Sequence, residues 1–133
     1  MQRKARLQDL MSRADKIVKE KRLFLKKGFS RDDLAAELGT NRTYLGEAMS
    51  TCRNCRWHEY INSFRMDFFL KTAGLAENRR VSIEDLASQC GFGSANTLNY
   101  YLKRDYGTTA NAYRKNLSTA LRAEGRAKTA TLS

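Results

Sequence analysis

The sequence predicts an all-α chain of about seven helices, in which two helix-turn-helix subdomains are joined by a long linker helix. Three observations support this fold class. No segment shows the apolar-polar alternation of a half-buried strand, and the chain contains no proline. Apolar residues instead recur at the three- and four-residue spacing of amphipathic helices. A short helix, a tight turn and a second helix also occur twice along the chain, which indicates an internal duplication.

The composition is that of a small, strongly basic folded domain. The 133 residues are 41% hydrophobic and carry a net charge of +11. Such an excess of positive charge favours phosphate-rich partners or an anionic surface. No apolar run approaches the ~18 residues of a membrane helix, and the first residues lack the apolar core of a signal peptide. We therefore expect a cytoplasmic protein, and three cysteines, an odd number, agree with a reducing compartment.

The first predicted element, residues 1–29, is a basic helix that packs on the domain or leads into it. Within residues 3–25 the apolar side chains fall at helical spacing: Leu7, Leu10, Met11, Ala14, Ile17, Val18, Phe24 and Leu25. Residues 1–31 hold 11 Lys and Arg against three acidic residues, which accounts for eight of the eleven net positive charges. We expect the apolar stripe to pack on the first subdomain, while the basic flank is available to phosphates.

Matched residues define the two helix-turn-helix copies. In the first short helix the pairs lie 52 positions apart: Ser30 with Ser82, Asp33 with Asp85, Leu34 with Leu86, Ala35 with Ala87, and Gly39 with Gly91. From the turn onward they lie 53 apart: Asn41 with Ser94, Leu45 with Leu98, Met49 with Leu102, Asn54 with Gly107, and Tyr60 with Tyr113. The pairs comprise N-cap residue types, buried core pairs and residue types that tolerate the left-handed C-cap conformation. The first copy is predicted at residues 30–56.

Residues 57–78 are predicted to form the linker helix, because large apolar side chains dominate their sequence. Trp57, Phe64, Phe68 and Phe69 lie within this segment. Aromatic side chains can stack on single-stranded nucleic acid, but these lie on a helix at core spacing, so we interpret them as core between the subdomains.

The second helix-turn-helix and a closing helix near residues 110–123 are predicted to occupy residues 79–123. Tyr113 and Leu117 would be the buried side chains of the closing helix. Residues 124–133 have no apolar periodicity and are predicted to be a flexible tail.

The second helix of each copy turns a polar face outward. Taking 100° per residue from the buried leucines, five side chains in each copy face away from the core, and one more lies at the flank. In the first copy these are Thr43, Tyr44, Glu47, Ser50 and Thr51, with Gly46 at the flank. In the second copy they are Asn96, Thr97, Tyr100, Lys103 and Arg104, with Asn99 at the flank. Amide and hydroxyl groups suit base edges, and the two cations suit phosphates.

The duplicated turn-and-cap pattern favours DNA binding by this surface over a merely solvated polar face. Two residues of the first copy oppose a simple version of that hypothesis. Glu47 places a carboxylate at the centre of the outward face, where it would repel phosphates unless it accepts a hydrogen bond from cytosine N4. Gly46 costs roughly 1 kcal/mol relative to alanine in a helix interior, so we expect either a close approach to its backbone or weak binding by this copy.

Four segments of the chain resemble the DNA-binding domain of the AraC/XylS family of bacterial transcription regulators. They are "DLAAELGTNRTYL", "YINSFRM", "SIEDLASQCGF" and "YGTTANAYRK", and their order and spacing together are specific. The resemblance runs from about Leu23 to Leu117, and the style of "LGTNRTYL" followed by "EYINSFRM" looks like family members from Bacteroidetes. It implies two helix-turn-helix subdomains whose second helices, called reading helices below, enter successive major grooves about 34 Å apart.

The resemblance also implies residue roles. Carried over position by position, the base-reading candidates are Arg42, Thr43, Gly46, Glu47, Ala95, Asn96, Thr97, Asn99 and Tyr100. The candidates for DNA backbone contacts are Tyr44, Ser50, Ser94, Lys103 and Arg104. An arginine is common in the second reading helix where this chain has Tyr100, and the usual "TP" before the last helix is Thr109-Ala110. We expect these departures to alter the sequence preference and leave the fold intact.

Other functions are less well supported by the sequence. By residue type alone, a zinc site could be assembled from Cys52, Cys55, Cys90 and His58. The CxxC pair, however, spans a predicted helix end, and Cys90 is more simply interpreted as a small core residue. We therefore predict no metal and no cofactor. A single histidine and the absence of a glycine-rich phosphate loop leave no nucleophile or general base to assign, so an enzyme is not expected.

The sequence thus predicts a sequence-specific double-stranded DNA-binding domain that acts in transcriptional regulation. The alternative is a regulatory or protein-interaction fragment with weak intrinsic affinity for DNA. RNA polymerase and a sensor domain not contained in this chain are further candidate partners that the resemblance implies.

Overall fold

A computed structural model describes residues 2–117 of the chain. Within that range the chain forms seven α-helices and two short 3-10 helices, and no strand. The α-helices are α1 (Gln2–Glu20), α2 (Arg31–Leu38), α3 (Arg42–Arg53), α4 (Trp57–Thr72), α5 (Ile83–Gln89), α6 (Ala95–Tyr106) and α7 (110–117). The 3-10 helices are Leu23–Leu25 and Ala76–Asn78. The predicted all-α fold class is therefore confirmed, while the rest of the predicted closing helix and the tail at 124–133 lie outside the described residues.

The first helix is shorter than the sequence predicted. A single helix over residues 3–25 is wrong, because α1 ends at Glu20 and Arg22 adopts a left-handed backbone conformation with φ of 50°. The bend lets Leu23 and Phe24 of the following 3-10 helix reach the first core, where both are buried. The apolar periodicity continued through the bend because both segments pack on the same core.

The linker helix is also shorter than predicted. It ends at Thr72 rather than at residue 78, and Leu75 beyond it is exposed. Gly74 lies in the turn after this end, and a Cβ atom there would lie 2.4 Å from Leu117 Cδ2. The Leu117 side chain therefore packs close to the backbone of this turn.

Two separate cores share α4. The first core is built from α1, the 3-10 segment, α2, α3 and the beginning of α4, where Tyr60 and Ile61 are buried. The second core joins the end of α4, with Met66, Phe69 and Ala73, to α5, α6 and the start of α7. Opposite ends of α4 thus belong to different units, so this helix fixes how the two helix-turn-helix copies sit relative to each other.

The predicted helix caps are present in both copies. Ser30 and Asp33 form a reciprocal capping box, and Ser82 accepts a hydrogen bond from the Asp85 backbone N–H. At the reading helices, Asn41 and Ser94 accept hydrogen bonds from the backbone N–H groups of the residues three positions on, at 2.8 and 3.2 Å. These bonds define where α3 and α6 begin, and therefore which side chains occupy their first turns.

A buried arginine joins the two units. Arg65 lies in α4 and is 91% buried, since its relative exposure is 9%. Its Nε donates to the Phe24 carbonyl at 2.7 Å and its Nη1 donates to Asn62 Oδ1 at 3.0 Å. Gly91, from the turn of the second unit, packs on the same atoms: a Cβ there would lie 2.2 Å from the Phe24 carbonyl oxygen and 3.0 Å from Arg65 Nε. We call Phe24, Arg65 and Gly91 the junction.

Replacing Gly91 with alanine should destabilise the fold by about 2–5 kcal/mol. The new Cβ would push residue 91 away from the Phe24 carbonyl at the junction, and the φ of +92° is itself unfavourable for a residue with a side chain. Gly107→Ala is the matched control, because Gly107 has a φ of +66° with open space around it and should cost only about 1–2 kcal/mol. The free energy of unfolding in denaturant distinguishes them. Equal losses in the two variants would show that the junction is not tightly packed.

Candidate nucleic-acid interface

The outward face of α3 is largely accessible. Arg42, Thr43 and Ser50 are exposed, while Tyr44 is half-buried against the first core. Arg42 lies 3.6 Å from Asp32 of α2, measured from Nε to Oδ1. The side chains are more than 60% exposed on both sides of this pair, so the pair is weak and leaves Arg42 able to exchange partners.

Glu47 is not the lone carboxylate that the sequence indicated. It forms an ion pair with Arg3 of α1, in which Arg3 Nη2 donates a hydrogen bond to Glu47 Oε1. The pairing compensates the negative charge at the centre of the reading face. Sequence reasoning missed it because the two residues are 44 positions apart and no helical spacing relates them.

Gly46 faces a side chain of its own subdomain. A Cβ at this position would lie 2.8 Å from Arg31 Nη1, so the missing side chain makes room for the guanidinium of Arg31. The close approach expected at Gly46 therefore exists, and the approaching group is an arginine from α2. The Nε of Arg31 is buried and has no hydrogen-bond partner within the described part of the chain.

The reading face of α6 divides into free and engaged side chains. Asn96 is exposed and Tyr100 is 61% exposed, so both can meet a groove. Thr97 Oγ1 lies 3.2 Å from Ser94 Oγ, which is part of the helix cap. Ala95 is half-buried and packs on the second core. The first turn of α6 is thus partly structural, and Asn96 and Tyr100 are its most accessible groups.

Asn99, predicted to read a base, makes a structural hydrogen bond within the second unit. Its Oδ1 accepts a hydrogen bond from the backbone N–H of Ala110 at 2.8 Å, and Ala110 is completely buried. The bond ties α6 to the start of α7. Because its acceptor atom is engaged, the bond to Ala110 would compete with the paired hydrogen bonds to adenine N6 and N7.

Lys103 and Arg104 also differ from each other. Lys103 is exposed, as a backbone contact requires. Arg104 Nε donates to Asp105 Oδ1 at 2.9 Å, its Nη1 lies 3.7 Å from Glu59 Oε2, and its guanidinium lies over the Tyr101 ring at 4.9 Å. The hydrogen bond to Asp105 raises the pKa of Arg104. Arg104 therefore packs across to α4 and is less available to phosphates than Lys103.

A basic cleft lies between the two units. Its volume is about 810 Å³, and it is bounded by α2, α3, the start of α4 and the turn that contains Gly91 and Gly93. The ionisable side chains that line it are Lys27, Arg31, Asp32, Arg42, Arg56, His58 and Arg65. Five of these are Lys or Arg and one is acidic, so the cleft attracts anions. The cleft could not be predicted from the sequence, because only the fold brings the starts of α2 and α4 together.

The cysteines do not assemble a metal site within residues 2–117. No group of three or more His, Cys, Asp or Glu side chains there has the arrangement to hold a metal ion. Cys52 and Cys55 pack against the first core, whereas Cys90 is fully buried in the second. Burial raises the pKa of the Cys90 thiol to about 11, as expected for a core residue. None of the described helices is both long and apolar enough to span a membrane.

Comparisons with known proteins agree with this geometry. The family model described as "Helix-turn-helix domain" matches residues 34–116. A crystal structure of a DNA-binding transcriptional dual regulator from Escherichia coli K-12 is similar, with a TM-score of 0.68 and 17% identity over 83% of this chain and 93% of that one. A Listeria innocua protein of unknown function is similar too, with a TM-score of 0.66 and 20% identity over 79% and 94%. No curated protein sequence matches significantly. At these identities the two structures show a shared fold.

Two asparagines of α6 provide a test of these assignments. Asn99→Ala should lower the free energy of unfolding by about 1–3 kcal/mol, because it leaves the buried Ala110 N–H without its acceptor. Asn96→Ala, the same change at an exposed site three residues earlier, should leave stability nearly unchanged. Chemical denaturation of both variants provides the measurement. Unaltered stability in Asn99→Ala would restore Asn99 as a base-reading candidate.

Proposed function

The chain belongs to the helix-turn-helix domain family, of the AraC type, and from this membership we propose that it binds specific double-stranded DNA sequences in transcriptional regulation. This is a binding rather than a catalytic role. One observation carries the proposal: two capped reading helices, α3 and α6, present polar first turns and are held by the shared helix α4.

We assign base reading to side chains on the outward faces of the first two turns of α3 and α6. In α3 these are Arg42 and Thr43, with Gly46 allowing Arg31 to lie close to the helix. Glu47, which the sequence also made a candidate, is paired with Arg3. In α6 they are Asn96, Thr97 and Tyr100, with Ala95 as an apolar contact at the helix start. Asparagine can read adenine and threonine can serve a base or a phosphate, so the surface is suited to mixed sequences rather than to runs of guanine.

Backbone contacts are assigned to two sets of residues. Tyr44, Ser50, Ser94 and Lys103 flank the reading turns, as their sequence positions indicated. The basic cleft adds Arg31 and Arg56, which line it from the starts of α2 and α4. Two reading helices in successive major grooves leave a stretch of phosphate backbone between them, and the cleft lies between the two units. We propose that its cations hold that stretch.

The cellular setting follows from the same proposal. A DNA-binding regulator acts where the chromosome of a bacterial cell lies, in the cytoplasm. There it encounters RNA polymerase at promoters, and a sensor domain, on the same or another chain, would control its activity. The alternative is a regulatory or protein-interaction fragment with weak intrinsic affinity for DNA, in which the first reading helix contributes little to binding.

Selection of bound duplexes from a random pool tests the proposed function directly. We expect an enriched motif in two parts, with centres separated by one helical turn of about 10–10.5 base pairs. The selection should be repeated with the Asn96→Ala, Tyr100→Ala double variant, which should lose one part of the motif and retain the other. A single part from the wild-type chain would support the alternative with a weak first helix. Absence of any enrichment would contradict sequence-specific binding.

The salt dependence of binding tests the role of the cleft. Arg31→Gln with Arg56→Gln should flatten the slope of log affinity against log salt by about 1.8 if each arginine neutralises one phosphate. Neither change should alter the selected motif. Lys71→Gln with Arg79→Gln removes the same charge from exposed positions that do not line the cleft and should change the slope much less. Equal slopes for the two double variants would exclude a backbone contact in the cleft.

A further inference from the structure

Hydrogen bonds and core packing hold helix α1 against the reading helix α3. Asp15 accepts a hydrogen bond from Arg53 Nη2 at 2.5 Å and another from the Tyr60 hydroxyl at 2.7 Å. Arg13 Nη2 donates to the Leu38 carbonyl at 3.1 Å. Beneath these bonds the apolar side of α1 is buried in the first core, together with α3. The position of α1 relative to α3 is therefore fixed by packing and not by the Arg3–Glu47 pair alone.

This packing places the first turn of α1 beside the outward face of α3. Ala5, Arg6 and Leu10 line a shallow groove together with Tyr44 of the reading helix. One turn further along α3, Glu47 meets Arg3. The side chain of Arg3 is 73% exposed, against 36% for Glu47, so the guanidinium lies on the solvent side of the pair.

We propose that Arg3 is a base-contacting residue of the first reading surface and that Glu47 positions it toward a guanine in the major groove. This inference rests on the proposed DNA-binding function and extends it to a helix outside residues 34–116, the segment that the family model matches. Arginine is the residue that most often reads guanine, through O6 and N7. The central positions of α3 offer glycine and glutamate instead, and α1 supplies the missing guanidinium.

The chemistry of the pair suits this task. A guanidinium has five N–H donors, and the ion pair uses the Nη2 end, which leaves donors for a base edge. An exposed ion pair is weak in water, so it can orient Arg3 without preventing its contact with DNA. The pair also cancels the Glu47 charge that would otherwise repel phosphates. Glu47 is thus a positioning residue, and Arg3 is the group that touches the base.

The test uses the full chain and the duplex selected by the wild-type protein. Affinities are measured at one salt concentration for that duplex and for versions in which each base pair of the α3 half-site is replaced in turn. Arg3→Ala should abolish discrimination at one G·C pair, a loss of about 5- to 150-fold for the selected duplex. For the duplex already altered at that pair, Arg3→Ala should cause only the smaller, general loss of affinity that follows from removing a positive charge. Arg3→Lys keeps the charge but lacks the planar fork, so it should lose most of the same discrimination.

Two further variants separate positioning from charge. Glu47→Gln should weaken discrimination at the same base pair, and adding it to Arg3→Ala should cause little further loss, because both act on one contact. Lys4→Ala removes a neighbouring exposed charge and should weaken all duplexes alike. Thermal unfolding checks that Arg3→Ala remains folded, as expected for an exposed side chain.

The failure of this inference differs from the failure of the proposed function. If Arg3→Ala weakens every duplex equally while the selected motif persists, Arg3 contacts the backbone, and the inference is overturned while sequence-specific binding stands. If Glu47→Gln shifts discrimination at a base pair that Arg3→Ala does not affect, the positioning role is overturned. If the wild-type chain selects no motif, both the function and the inference fail.

Discussion

The rest of the structure depends on the hydrogen bond from the buried guanidinium of Arg65 to the carbonyl of Phe24. That carbonyl belongs to the segment between α1 and α2, whereas Gly91, packed against the same atoms, belongs to the second unit. Burial lowers the pKa of Arg65, but a guanidinium stays protonated at neutral pH, so its donors need partners. The bonds to Phe24 and Asn62 supply them. Loss of this contact would leave a buried charge between two small cores.

The junction bears on the proposed function, in which the two reading helices must lie at a set separation. Each core alone orients a single helix, α3 or α6, through its cap and its buried leucines. Their relative placement comes from α4, whose two ends belong to different cores, and from the contact of Gly91 with the Phe24 carbonyl. Duplication therefore supplies two equivalent units, and a non-repeated contact fixes how they lie relative to each other. Neither Phe24 nor Arg65 was among the matched pairs of the repeat.

This division explains what the sequence could predict. Caps and core pairs at fixed spacing are local, so Ser30, Asn41, Ser94 and Gly107 were all assigned correctly from residue type and position. Helix ends set by tertiary contacts were not, as the early ends of α1 and α4 show. The same distinction applies to side chains. The outward direction of Asn96 could be predicted from its angle around the helix, whereas the hydrogen bond between Asn99 and Ala110 depends on how α7 packs. Periodicity identifies which face is exposed, and not which exposed atoms already have partners.

The charges around the first reading helix also depend on contacts between residues far apart in the sequence, which helical spacing cannot predict. Read along the chain, Glu47 is a carboxylate where a phosphate-binding protein should not have one, and the basic excess of residues 1–31 is a general attraction to anions. In the folded chain part of this basic excess lies beside Glu47, because α1 brings Arg3 to Glu47 and α2 brings Arg31 close to Gly46. The positive charge at the reading surface of α3 thus comes largely from neighbouring helices. A reading helix whose central positions are glycine and glutamate can therefore still have guanidinium groups beside its outward face, provided that the helices packed on it are held firmly in place.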